Sequence, residues 1–208
     1  MAAMTPDYWK QACQALSAHD PVMRQLIAQF ADASLESRGC AFTTLARSIV
    51  GQQISVKAAE SVWQRVIATI PDITPQTIVA AEQELLRACG LSARKVTYLH
   101  DLSRHFTDGD LRETAWADMS DEAIIADLIK VRGIGRWTAE MFLIFHLQRS
   151  DVLPLDDIGL QRAISQHYFD RQSVDKKTII ELAKPWQPWR SVATWYLWRS
   201  LDPLPVAY

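Results

Sequence analysis

The sequence predicts an all-α protein on three observations. No stretch alternates apolar and polar residues with period two. Apolar residues recur instead at three- and four-residue spacing behind Ser, Thr or Asp caps. The connections are short, with no internal repeats, low-complexity tracts or flexible linker, so roughly ten packed helices are expected.

Thr5-Pro6-Asp7 combines a cap, a proline for the first turn and an acid at the positive end, and predicts a helix running to about His19. Asp20-Pro21 repeats the signal for a helix carrying Val22, Leu26, Ile27 and Phe30 on one face. The polar stretch from Asp32 to Cys40 reads as a loop. A third helix follows from Phe42 to Gly51, with Leu45, Ile49 and Val50 apolar. After Gly51-Gln52-Gln53-Ile54, Ser55 caps the strongly periodic segment Val56, Ala59, Val62, Trp63, Val66, Ile67. Pro71 and Pro75 mark a connection, and short helices are expected over Thr77–Ala81 and Glu82–Cys89. Gly90 breaks the chain and Ser92 caps Ala93 to Phe106. Ser120 caps the helix that enters the central motif. Beyond Asp157, helices are expected over Ile158–Phe169, Asp175–Lys184 and Pro188–Leu201.

With 208 residues the chain can bury one good core or two small lobes, and an apolar content of 49% excludes a disordered chain. The longest apolar run, Met141 to Phe145, is far too short to span a membrane. The N-terminus MAAMTPDYWKQ lacks the shape of a signal peptide, so a cytoplasmic location is the expectation. The three cysteines, Cys13, Cys40 and Cys89, are scattered and lack metal spacing, and read as reduced thiols. The five histidines lack metal or triad spacing. A net charge of −2 argues against binding nucleic acid by bulk electrostatics. It leaves room for a protein that grips a few phosphates through backbone amides and local arginines, with modest affinity and a shallow salt slope.

The chain is organised around LIKVRGIGRWTAEMFLIFHLQRSDVLPLDDIGLQR, Leu128 to Arg162. It reads as helix, glycine hairpin, helix, extended loop, and two carboxylates opening another helix. In the hairpin Arg132-Gly133-Ile134-Gly135, both glycines can take φ > 0 and leave room for a close backbone neighbour. Gly135 also sits where a helix starts, so the amides of Arg136, Trp137 and Thr138 precede the hydrogen-bond ladder. Such a helix N-terminus suits a phosphate. Pro154 keeps the following loop extended, and Asp156 and Asp157 fall at a helix N-cap.

This motif resembles the helix-hairpin-helix DNA glycosylase superfamily, in which a catalytic aspartate follows the hairpin by about twenty residues and an arginine often lies five positions further on. Asp157 and Arg162 fit both spacings. Arg132 departs from the proline many members carry before the first glycine. The likeness continues in Ser48-Ile49-Val50-Gly51-Gln52-Gln53-Ile54-Ser55, in Gly90-Leu91-Ser92-Ala93-Arg94-Lys95-Val96 and in Trp189-Arg190-Ser191-Val192-Ala193. These look like the DNA-3-methyladenine glycosylase II subfamily.

The resemblance implies a two-lobed helical fold with the active site in the inter-lobe cleft. Residues 36–150 would form a central lobe ending in the hairpin, and 1–35 with 151–208 a second lobe built from both termini. It implies a monomeric, monofunctional hydrolase that flips an alkylated purine, 3-methyladenine above all, out of double-stranded DNA. Breaking the N-glycosidic bond builds positive charge on the sugar, which calls for a nearby anion. Asp157 takes that role, and the positive end of its helix suits a negative charge. Asp156 reads as cap and local support. A cationic alkylated base stacks well on tryptophan, so Trp137 is the expected stacking face, with Trp186 a second wall and Met141 also in the pocket. Trp189, Trp195 and Trp198 read as core. Bifunctional relatives place a lysine at Trp137. Gln53 stands at the family's wedge position, where some members have leucine. Gly133, Gly135, Arg132, Arg136 and Thr138 are the expected phosphate contacts, with Arg94 and Lys95 as further candidates. A Na+ or K+ ion is an expectation at the carbonyls of Ile129, Val131 and Ile134. No other cofactor is implied, and with no cysteine beyond Cys89 the iron–sulfur cluster of some relatives has no ligands. Two alternatives stay open: a glycosylase for deaminated purines, and a non-catalytic helix-hairpin-helix DNA-binding protein.

Overall fold

The computed structural model describes residues 5–37 and 40–201. Residues 1–4, 38, 39 and 202–208 lie outside them, including both ends of the expected terminal lobe. In chain order the helices are α1 (Trp9–His19), α2 (Pro21–Gln29), α3 (Ala41–Gly51), α4 (Val56–Thr69), α5 (Pro75–Ala80), α6 (Gln83–Ala88), α7 (Ala93–Thr107), α8 (Asp121–Leu128), α9 (Arg136–Phe145), α10 (Ile158–Tyr168), α11 (Lys176–Ala183) and α12 (Arg190–Leu201). Two 3₁₀ segments, Glu113–Asp118 and Lys184–Trp186, complete the order. Extended pairing among the described residues is limited to an isolated bridge at Ser37.

Most starts follow from local chemistry. The Asp20 carboxylate accepts from the amides of Val22 and Met23 with Pro21 in the first turn. Ser55, Ser92 and Ser120 each accept from the amide three residues on. Thr74 and Thr77 satisfy each other's amides reciprocally, so α5 begins at Pro75, where the sequence suggested a connection. The expected start at Thr5 is not used. The first helix begins at Trp9, and its flanking Tyr8 makes no side-chain cap.

The chain divides into two compact units, and the division falls within α9. One comprises described residues 40–142. Its core is built on α7, which packs against α3, α5 and α6. Val96, Leu99 and Leu102 are buried there with Leu45, Ile49, Ile78 and Leu86. An edge-to-face series runs through Phe42, Phe106, Trp116 and Phe142, with centroid separations of 5.4, 6.3 and 5.3 Å. Trp116 in the first 3₁₀ segment supplies the middle of it.

The other unit comprises described residues 5–37 with 143–201. The stretch Ser191 to Leu197 of α12 is buried without a break, so this part of the helix is enclosed on all sides. Trp9, Trp195 and Tyr196 form a mutual cluster with centroids 5.0–5.7 Å apart. Asp20 ties the unit together: besides capping α2 it accepts from Tyr168 Oη at 2.8 Å and from Trp186 Nε1 at 2.9 Å. Burial, with the Asp20 charge beside it, drives the Tyr168 phenol far above its ordinary pKa. Among the described residues, no helix is long and apolar enough to cross a membrane.

Candidate active site

In the unit of residues 40–142, the hairpin between α8 and α9 is held from beneath by α7. Gly133 has φ +86°, and a Cβ there would lie 2.2 Å from Tyr98 Cδ2. The tyrosine ring thus fills the space a side chain would need. Three residues further along α7, the Asp101 carboxylate accepts from the Arg132 amide at 2.8 Å. Lys95, three residues before Tyr98, donates from Nζ to the Val50 carbonyl at 2.7 Å. Its partial burial lowers the ammonium pKa. Lys95, Tyr98 and Asp101 share one face of α7 by their spacing, and they support both the hairpin and the end of α3. Lys95, a candidate phosphate contact by sequence, therefore has an internal structural role.

The two glycines serve different purposes. Gly135 does not share the positive φ of Gly133, and no atom lies within 4 Å of where its Cβ would be. Its outer side is open. The α9 ladder begins with the Ala139 amide on the Gly135 carbonyl, so the helix's first three amides precede it. Thr138 is buried and can contribute to that end only through its backbone.

The arginines also part ways. The Arg132 side chain is 70% exposed, with only a 3.8 Å approach to Asp101. Arg136, expected on a phosphate, is instead committed to carboxylates. Its Nε donates to Glu140 at 3.0 Å and Nη1 to Glu122 at 2.9 Å, and Nη2 bonds the other Glu122 oxygen. This fork-to-carboxylate bond lowers the Glu122 pKa and raises that of Arg136. Arg136 staples α8 to α9, and its charge is already compensated.

Trp137, in the first turn of α9, is 38% exposed, among the few large apolar side chains so accessible. Met141, one turn on, is buried. The turn after α3 has φ/ψ of −55°/131° at Gln52 and φ +58° at Gln53. That is the pattern of a type II turn, whose third position favours glycine. Gln53 occupies it as an exposed, non-glycine residue in left-handed backbone. Strain of this kind at a polar tip is an outlier that invites a functional reading.

The second constellation lies in the unit of residues 5–37 and 143–201. Asp157 is the N-cap of α10 and is only 9% exposed. Its Oδ1 accepts from the Leu160 amide at 2.6 Å and from Trp198 Nε1 at 2.7 Å. The Trp198 ring stacks on Phe145 at 5.7 Å and 11°. Gly159 leaves the space these groups need: a Cβ there would sit 3.1 Å from Asp157 Oδ1 and 3.2 Å from Trp198 Cδ1. The loop before the aspartate is pinned to the start of α12. Arg190 forks onto Asp151, with bonds of 2.6 and 2.9 Å. The Val152 amide donates to Ser191 Oγ at 2.9 Å, and the Ser191 amide to the Ser150 carbonyl at 3.0 Å. Asp156, expected to cap, points its carboxylate at Lys176 instead.

Here the structure corrects the choice of tryptophan. Trp186, expected as a pocket wall, is 1% exposed, with its indole N–H committed to Asp20 and its ring against Tyr168. It is a core residue. Trp198, expected in the core, is the partner of Asp157. Sequence reasoning also passed over Asp151, Gly159 and Arg190. The one available signal was the Trp189-Arg190-Ser191 segment, which resembled the family without a stated role.

Replacing Trp198 with Phe removes the N–H while keeping a ring for Phe145. If the indole holds the carboxylate, loss of this hydrogen bond to a charged group should cost about 1.5–3 kcal/mol, read as a lower melting temperature. An unchanged melting temperature would show that Asp157 is held without it.

Comparison with known proteins gives the family and the fold. The sequence model of the family described as HhH-GPD superfamily base excision DNA repair protein matches residues 46–188. The chain is 34% identical to YfjP of Bacillus subtilis over 169 residues, 77% of this chain and 59% of that protein. It therefore spans less than two thirds of that relative's length. The crystal structure of a DNA-3-methyladenine glycosidase from Bacillus halodurans superposes with a TM-score of 0.84 at 33% identity, covering 97% of this chain and 93% of the other. The Schizosaccharomyces pombe 3-methyladenine DNA glycosylase Mag1, solved in complex with abasic DNA, gives 0.75 at 30% identity, covering 94% and 100%.

Proposed function

The chain belongs to the HhH-GPD superfamily of base excision DNA repair proteins, and from that premise we propose that it is a monofunctional DNA glycosylase hydrolysing the N-glycosidic bond of alkylated purines, of the 3-methyladenine type, in double-stranded DNA. The observation that carries this reading is the Asp157 carboxylate, held by Leu160 N and Trp198 Nε1. Asp20 is also a capping carboxylate bonded by an indole, and what sets Asp157 apart is its place about twenty residues past the hairpin.

The roles follow from the chemistry. The amides ahead of the α9 ladder and the open side of Gly135 suit a phosphate, and Arg132 adds an accessible charge. Gln53 is the wedge that replaces the extruded nucleotide and can hydrogen-bond the widowed base. Trp137 offers an electron-rich face to a cationic base. Asp157 stabilises the sugar cation and orients the attacking water. Trp137 has no amine to form a Schiff base, so the product is an abasic site in an uncut strand.

Among the described residues no cluster of His, Cys, Asp or Glu could hold a metal ion. A hairpin cation would rest on carbonyls, Ile129, Val131 and Ile134 being the set the family suggests. The Val131 carbonyl accepts the Ile134 amide at 3.1 Å and has a second lone pair for such an ion. We propose a monomer acting in the compartment that holds DNA.

Incubation with duplexes carrying methylated, deaminated or oxidised bases tests the reading. Free methylated purine should appear without strand cleavage until base or heat is added. Release of hypoxanthine alone would favour the deaminated-purine enzyme, and efficient nicking would overturn the monofunctional assignment.

A further inference from the structure

We propose that Gln52 is a positioning residue that locks the wedge turn to the phosphate-gripping hairpin, an inference that rests on the function proposed above. Gln52 Nε2 donates to the Gly133 carbonyl at 2.7 Å, across 81 residues of sequence. A carbonyl can only accept, so the amide nitrogen must face it. The acceptor belongs to the glycine whose positive φ turns the hairpin, and the donor is the residue immediately before Gln53.

The contact joins two elements that α7 already supports separately, through Lys95 on Val50 and through Tyr98 and Asp101 on the hairpin. Each of those supports acts on one element. Gln52 links them to each other directly, within one compact unit. A glycosylase must hold a strand at the phosphate while a wedge fills the gap left by the departing base. The work of the two is coupled only if their separation is fixed. Gln52 sets that separation. It also faces the turn's own strain: with Gln53 left-handed, the turn needs an outside tether to keep its tip in place.

The test compares Gln52→Ala and Gln52→Glu with the native chain on two duplexes. These differ only in whether the methylated purine faces its normal partner or an abasic position. The wedge matters most where a base pair must be broken. Single-turnover excision by Gln52→Ala should fall about tenfold on the paired lesion, and several-fold less on the unpaired one. Gln52→Glu keeps the length but sets acceptor against acceptor, and should fall at least as far. A general loss of folded protein would lower both substrates in proportion. Proportional losses, or none, in both variants would overturn the role of Gln52 while leaving the proposed function intact. No base release by the native chain from either duplex would instead remove the premise.

Discussion

Asp157→Asn should abolish base release while leaving the protein folded. Asparagine is as good an N-cap as aspartate, and its Oδ1 can accept from Leu160 N and Trp198 Nε1 as the carboxylate does. What the substitution removes is the charge. Loss of one preorganised electrostatic stabiliser costs about a hundred- to a thousandfold in rate. Single-turnover excision of a methylated purine should fall at least by about a hundredfold, with the melting temperature and binding to an abasic-site duplex little changed. Release at the native rate would mean that the carboxylate is a cap and nothing more. Asp156→Asn is the control: that residue pairs with Lys176 at the surface, and its loss should change little.

Gly133→Ala should be the most damaging single methyl in the hairpin. The added Cβ meets the Tyr98 ring at 2.2–2.6 Å, and φ +86° disfavours any side chain. Overpacking costs about 1–3 kcal/mol and left-handed backbone about 1–2 kcal/mol. A total of roughly 2–5 kcal/mol lowers the melting temperature by roughly 4–20 °C in a chain of this size, and DNA affinity should fall with the displaced hairpin. Adding Tyr98→Ala should recover the packing part of the loss but not the backbone part. Gly135→Ala is the contrasting case. With nothing within 4 Å and no positive φ, its stability should stay within about 0.5 kcal/mol of native. Any loss there should appear only in DNA binding. Equal stability losses at the two glycines would contradict the division between an inward and an outward role.

That pair illustrates how far the sequence could be read. Both glycines were read as conformationally free, with Gly135 also marking a helix start. Only Gly133 uses that freedom. The ring that makes Gly133 obligatory lies on α7, and no local pattern announces a contact between Tyr98 and a residue 35 positions on. Arg136 is a similar case. Basic residues beside a phosphate-binding helix end suggest phosphate contacts, but Glu122 on the preceding helix takes this one first. Arg132, two residues before Ile134, stays accessible.

By itself the sequence determined the helices, most of their caps, the hairpin and the aspartate beyond it. Those signals are written in residues one to four positions apart: Ser55 with Ala58, Ser92 with Lys95, Asp157 with Leu160. The tertiary structure alone decided which tryptophan serves the carboxylate and which serves the core. Trp198 meets Asp157 across 41 residues, and Trp186 meets Asp20 across 166. An indole N–H will satisfy any buried carboxylate that comes within reach, so its partner is set by how the helices pack and not by its neighbours in the chain.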